Sequence, residues 1–159
     1  MPQPVDVTTP SDREIVVTRI FAAPRALIWD CHTRPDLVRR WLLGPAGWTM
    51  PVCEIDLKVG GKYRYVWRKH DGRELVSHGE HREIEAPERL VTTEQMQGFD
   101  GASVNTMVLT EEAGRTTLTL TMLFPNVEAR DGALRSGMSD GIAASYDRLQ
   151  EIADEQKVG

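Results

Sequence analysis

Much of the chain alternates between apolar and polar positions. Residues 14–21 read EIVVTRIF, a β-branched apolar run that predicts a strand. Ala22-Ala23-Pro24 stops it, and Pro24 suits the first position of a helix, where its missing N–H costs nothing. In Arg25–Cys31 the apolar residues Leu27, Ile28 and Cys31 recur at helical spacing, predicting a short helix. Thr33-Arg34-Pro35 opens another, in which Leu37, Val38 and Trp41 repeat that spacing until Gly44, Pro45 and Gly47 end it.

A series of strands follows. Thr49–Leu57 is one, and Gly60-Gly61 turns the chain. In Lys62–Arg68, Tyr63, Tyr65 and Trp67 share one face while Lys62, Arg64 and Arg68 share the other. That period of two marks a sheet with one buried and one wet face. Asp71-Gly72 predicts the next hairpin turn. Arg73–Glu85 is a long strand ended near Pro87, and Arg89–Gln95 another, with a turn around Asp100-Gly101. Ser103–Thr110 and Arg115–Phe124 form the last pair, turning at Ala113-Gly114. In the final strand Leu118, Leu120, Met122 and Phe124 face one way and three threonines the other.

Pro125 breaks the last strand, and Asn126 suits a helix N-cap. One helix is then expected to about Ala153, with Leu134, Met138, Ile142, Tyr146 (or Ser145), Leu149 and Ile152 as its apolar stripe. Gly137 and Gly141 weaken its continuity and allow a close approach to its backbone. The order is thus one strand, two short helices, six antiparallel strands and a long C-terminal helix, an α+β class. A seven-stranded curved antiparallel sheet with one apolar face must cover that face, and the long helix is the element large enough to do so. A helix is about 10–12 Å across, so large side chains or a cavity must fill the remaining concavity.

Composition narrows the function. The 159 residues are 40% hydrophobic and carry a net charge of −5. That size suits one domain, and the acidic balance argues against a nucleic-acid partner. No apolar run approaches the roughly 18 residues of a membrane span. The first dozen residues hold three prolines and no apolar core, so no secretory signal is expected, and the protein is expected to be cytoplasmic. Residues 1–12 read as a disordered N-terminal arm and 13–155 as a single domain. Cys31 and Cys53 form no CxxC pair and are expected as buried free thiols.

Several stretches, taken in order, carry a resemblance. FAAPRALIWDCHTRPDLVRRWLLGP, CEIDLKVGGKYRYVW, GEHREIEAPERLV, RTTLTLTMLFPNVEARDGAL and SYDRLQEI together resemble the SRPBCC or START-like helix-grip superfamily. Within it the chain is most similar to a bacterial subgroup resembling the C-terminal domain of the activator of the heat shock protein 90 ATPase. The resemblance implies a deep pocket between the long helix and the sheet for a small apolar or amphipathic molecule, with no cofactor. Members of the superfamily include carriers, hormone receptors, aromatase/cyclases and co-chaperones, so fold does not fix activity. The chaperone activator also has a separate N-terminal domain, for which only about a dozen residues stand here. The co-chaperone reading is accordingly the weaker expectation.

The candidate pocket residues are Trp41, Tyr63, Tyr65, Trp67, His81, Met96, Met107, Met122, Met138 and Ile142, drawn from the inward faces. Methionine adapts to varied shapes, and buried phenols need partners, which a ligand oxygen or trapped water could provide. On the strand Arg73–Glu85, His78 and His81 point to opposite faces, so they make no two-His metal site. The more charged set, His78, Glu80 and Arg82, should face water, sending His81 inward. There it is a core histidine or, in an enzyme of cyclase, hydrolase or isomerase type, a proton donor. Glu54 and Asp56 are expected as cross-strand ion pairs with Lys62 and Arg64. The basic group Lys58, Lys62, Arg64, Arg68, Lys69 and Arg73 reads as a solvated hairpin face. No catalytic triad, phosphate loop or metal-ligand spacing is present. A homodimer is expected if Trp48 and the GPAGW loop leave apolar surface exposed.

Overall fold

A computed structural model describes residues 4–98 and 101–158. The chain begins with β1 (Asp6–Thr8) and β2 (Glu14–Phe21), then α1 (Arg25–Thr33) and α2 (Pro35–Trp41). Six strands follow: β3 (Trp48–Ile55), β4 (Lys62–Lys69), β5 (Glu74–Glu85), β6 (Arg89–Met96), β7 (Ser103–Glu112) and β8 (Arg115–Leu123). The chain closes with α3 (Val127–Arg135) and α4 (Met138–Val158). All eight strands join one sheet in the order β1-β2-β8-β7-β6-β5-β4-β3. Every pairing is antiparallel.

Local chemistry accounts for these elements. Gly72 has φ 94°, and the Asp71 carboxylate accepts the Arg73 backbone N–H at 3.0 Å, which fixes the β4–β5 hairpin. Pro51 lies in β3, an edge strand, where a missing donor leaves no gap in the ladder, and the β3–β4 register shifts between Thr49 and Val52. Asn126 caps α3 as expected, its side chain accepting the Ala129 N–H at 2.8 Å.

Three expectations need correction. The arm is ordered at Asp6–Thr8, which pairs with Val16–Thr18, so the sheet has eight strands rather than seven. Val5 and Val7 pack against the core and hold it there. (Residues 1–3 of that arm, and Asp100 of the turn expected at 100–101, lie outside the described residues.) The single helix expected from Asn126 to about Ala153 is two, a short α3 and the long C-terminal α4. Gly137 takes φ 83°, a left-handed conformation that interrupts helical hydrogen bonding, and Ser136 closes α3 through its N–H to the Ala133 carbonyl. Pro24 is the N-cap of α1, in extended conformation, rather than its first helical residue.

The main core gathers at one end of the sheet. Ile15, Val17 and Phe21 of β2, Leu109 of β7 and Leu118 of β8 pack with Ile28 and Cys31 of α1 and with Tyr146, Leu149, Ile152 and Ala153 of α4. Phe21 meets Tyr146 edge-on at 5.5 Å, and Trp41 stacks on Tyr146 at 5.9 Å. A smaller cluster of Val38, Met50 and Cys53 seats α2 on β3. The C-terminal half of α4 therefore carries the packing. Its N-terminal half, Met138 to Ser145, packs only partly against the core and lines a cavity. This is the helix-grip architecture, a curved sheet closed by a C-terminal helix.

Candidate functional site

Between the concave face and the helices lies a cavity of about 840 Å³, within the usual range of small-molecule sites. All ten expected pocket residues line it: Trp41 from α2, Tyr63, Tyr65 and Trp67 from β4, His81 from β5, Met96 from β6, Met107 from β7, Met122 from β8, and Met138 and Ile142 from α4. Period-two alternation brings them together, because each strand turns the same face inward. The loop after α2 and the outer helix α3 form the rim, with Leu43, Pro45, Trp48, Ala129 and Ala133. Gly141 of α4 abuts the Gly44-Pro45 loop.

The aromatic wall is held from behind. The Trp41 indole N–H donates to the Cys31 carbonyl at 2.7 Å and that of Trp67 to the Leu42 carbonyl at 2.6 Å. With these donors satisfied by backbone, the rings can offer apolar faces to the cavity. Tyr63 and Tyr65 lie 5.0 Å apart, and Tyr65 and Trp67 5.9 Å apart. The Tyr63 hydroxyl donates to the Thr93 carbonyl at 2.8 Å, so its partner is backbone rather than a ligand or water. Burial holds the phenols of Tyr63 and Tyr65 well above the usual range.

A polar island interrupts this apolar wall. Ser77 and His81 of β5, Thr92 and Glu94 of β6, and Ser103 and Asn105 of β7 face the same way in adjacent strands. The Glu94 carboxylate accepts Ser77 Oγ at 3.3 Å and Asn105 Nδ2 at 3.5 Å. Burial raises its pKa above the ordinary carboxylate value, against the weaker pull of those hydrogen bonds. His81 is inward as expected and only 3% exposed, and among the described residues neither ring nitrogen has a hydrogen-bond partner. Burial lowers its pKa, opposed by Asp56. The register shift in this strand falls between His81 and Glu83, past the histidine, and so leaves its facing unchanged. Sequence reasoning missed Glu94, Ser103 and Asn105. The signal was available: Met96 was placed inward, and a period of two carries Glu94 to the same face.

The other candidates disperse. His78 is exposed on the opposite face from His81. Among the described residues no group of three or more His, Cys, Asp or Glu side chains is placed to hold a metal ion. Glu54 lies opposite Arg64 in register, while the Asp56 carboxylate pairs with Lys58 at 3.6 Å rather than with Lys62. Arg68 and Arg73 pair with Glu74 and Asp71 at 2.6 and 3.0 Å, which neutralises much of the basic hairpin. Trp48 is half-buried, lines the cavity and has the Lys69 ammonium over its ring at 5.8 Å, while Pro45 and Ala46 of the same loop are exposed. Both cysteines are free and buried, with thiols pushed up to about 11. No helix among the described residues is long and apolar enough to cross a membrane.

No curated protein matches this sequence. Solved structures do. A protein from Rhodobacter sphaeroides is 28% identical, with 96% of this chain and 99% of that one covered at a TM-score of 0.91. A protein from Nitrosomonas europaea is 20% identical, with 95% and 100% covered and a TM-score of 0.85. The AHSA1-like protein from Aeromonas hydrophila is 18% identical, with 86% and 93% covered and a TM-score of 0.71. The last two show a shared fold. The family described as Activator of Hsp90 ATPase homolog 1-like protein matches residues 22–154, which takes in α1 to α3, the sheet from β3 to β8 and most of α4, and the chain belongs to that family.

Proposed function

We propose that this protein binds a small hydrophobic or aromatic molecule in the cavity between the sheet and α4. One observation carries the reading: ten side chains from seven elements line one cavity of about 840 Å³. A solid core would have closed over them, since protein interiors pack as densely as organic crystals. The two free buried thiols favour a reducing, cytoplasmic setting. The test is a thermal screen across lipids and aromatic compounds. A ligand at 100 times its Kd adds about 2.7 kcal/mol, a rise in melting temperature of about 5–11 °C for a chain of this size. The same ligand should give a smaller shift in Ile142→Trp, whose indole intrudes into the cavity. A flat screen across the whole library would overturn the reading.

A second reading is an enzyme of cyclase, hydrolase or isomerase type in the same cavity. It is favoured by His81 and Glu94, whose environments push their pKa values in opposite directions. It requires turnover that His81→Gln and Glu94→Gln each reduce by about 100-fold or more. Co-chaperone action rests on the family's name alone, and stimulation of a chaperone ATPase would be its test.

A further inference from the structure

We propose that the preferred occupant is a cation, an amine carried on an apolar or aromatic body, with its ammonium held by Glu94 against the rings of Tyr63 and Tyr65. This rests on the cavity being a ligand site. The argument starts from charge. No lysine or arginine lines the cavity among the described residues. The ionisable groups other than tyrosine are Glu94, Glu128, His32 and His81. Burial keeps both histidines toward their neutral forms. The wall is therefore neutral or negative throughout. A ligand carboxylate would find no cation there and would meet Glu94 at close quarters.

Glu94 itself is incompletely served. Its two hydrogen bonds, at 3.3 and 3.5 Å, are long and come from neutral donors. A half-buried carboxyl facing an apolar cavity favours either a proton or a positive partner. The surroundings suit the second. Tyr63 lies opposite Gly79 in the β4–β5 register, and its ring crosses that glycine to donate to the carbonyl of Thr93, the residue before Glu94. The absence of a side chain at Gly79 thus brings the phenol to the strand that carries the carboxylate. The same proximity is why Glu94 raises the pKa of both Tyr63 and Tyr65. Aromatic faces flanking a carboxylate are the chemistry that recognises ammonium groups.

His81 sits two residues along β5 from Gly79 on the same inward face, 3% exposed, with both ring nitrogens closed off from the cavity. It therefore adds neither a cation nor a competing donor beside Glu94. An ammonium presents three donors. The two Glu94 oxygens supply acceptors for two of them, and the third can face the phenol rings.

The experiment uses the full chain and three indole probes of one size: tryptamine, indole-3-ethanol and indole-3-propionate, titrated by calorimetry at neutral pH. Tryptamine is expected to bind about tenfold more tightly than indole-3-ethanol, and indole-3-propionate more weakly than both. In Glu94→Gln the tryptamine advantage, read as the ratio of its Kd to that of indole-3-ethanol in the same variant, should vanish. A melting curve confirms that the variant is folded. Tryptamine no tighter than the alcohol, or an advantage that survives Glu94→Gln, overturns the proposal. Binding of the alcohol without an amine gain sinks the charge preference alone. Binding of none of the three, together with a flat library screen, removes the ligand site and this inference with it.

Discussion

Tyr63 and Gly79 face each other across β4 and β5, and the glycine is what lets the tyrosine lie down. A Cβ on Gly79 would come within 2.9 Å of the Tyr63 ring and far inside contact distance of the Thr93 carbonyl, the same carbonyl that accepts the Tyr63 hydroxyl. Gly79→Ala should therefore cost about 2–3 kcal/mol, since backbone must shift. Calorimetric melting should fall by about 4–12 °C. Tyr63→Phe, which loses only the hydrogen bond, should cost about 1 kcal/mol.

Stability should fall in mild acid, and His32 should be a main cause. Burial depresses its pKa from 6.5 to about 4, although its Nδ1 hydrogen-bonds the Ile28 carbonyl at 2.8 Å. The unfolded chain takes up this proton near 6.5 and the folded protein only near 4. The contribution is complete above about pH 6.5 and is lost as pH falls toward 4, up to about 3 kcal/mol. Urea unfolding at pH 7 and pH 4.5 should show the loss. His32→Gln should flatten that slope, and an unchanged slope would clear His32.

Glu94 should behave in the opposite sense. Its folded pKa is raised, so its contribution is present below the unfolded value and is lost as pH rises through the folded one. Replacing it with a neutral isostere removes that loss. Glu94→Gln is expected to melt higher than the native protein at pH 7 without ligand, with the gap closing in acid. A lower melting temperature at pH 7 would show that the carboxylate is a structural asset rather than a functional one.

Arg19 is 1% exposed, bonded at 3.0 Å to Asp147 and 5.1 Å above the Phe21 ring. Asp147 is half exposed, so solvent weakens the pair. Its removal still strands a buried guanidinium. Asp147→Ala should cost about 1–2 kcal/mol, and adding Arg19→Met should recover part of that. Additive losses in the double variant would refute the coupling.

The strands and the facing of their side chains were legible because one face of the sheet is wet and the other apolar. Tyr63, Tyr65 and Trp67 alternate with lysine and arginine, and this contrast located the cavity wall. The text of β6, TTEQM, has polar residues on both faces, so the pattern hid Glu94 although its parity with Met96 gave it away. β1 escaped notice because three residues carry no period, and Val5 and Val7 stand among prolines. The break at Gly137 was foreshadowed by the glycine. The left-handed φ that ends α3 depends on how two helices meet the rim, which is information outside local sequence.

The two halves of α4 have separate burdens. Leu149, Ile152 and Tyr146 bear the fold, while Met138 and Ile142 border empty volume. Substitutions at the second pair disturb fewer core contacts than at the first three, so a lineage can drift there at lower cost to stability. The shape of the cavity is in this way free to change while the helix keeps its anchor. Homologues would be expected to differ most at the pair that faces the void and least at the three residues that anchor the helix.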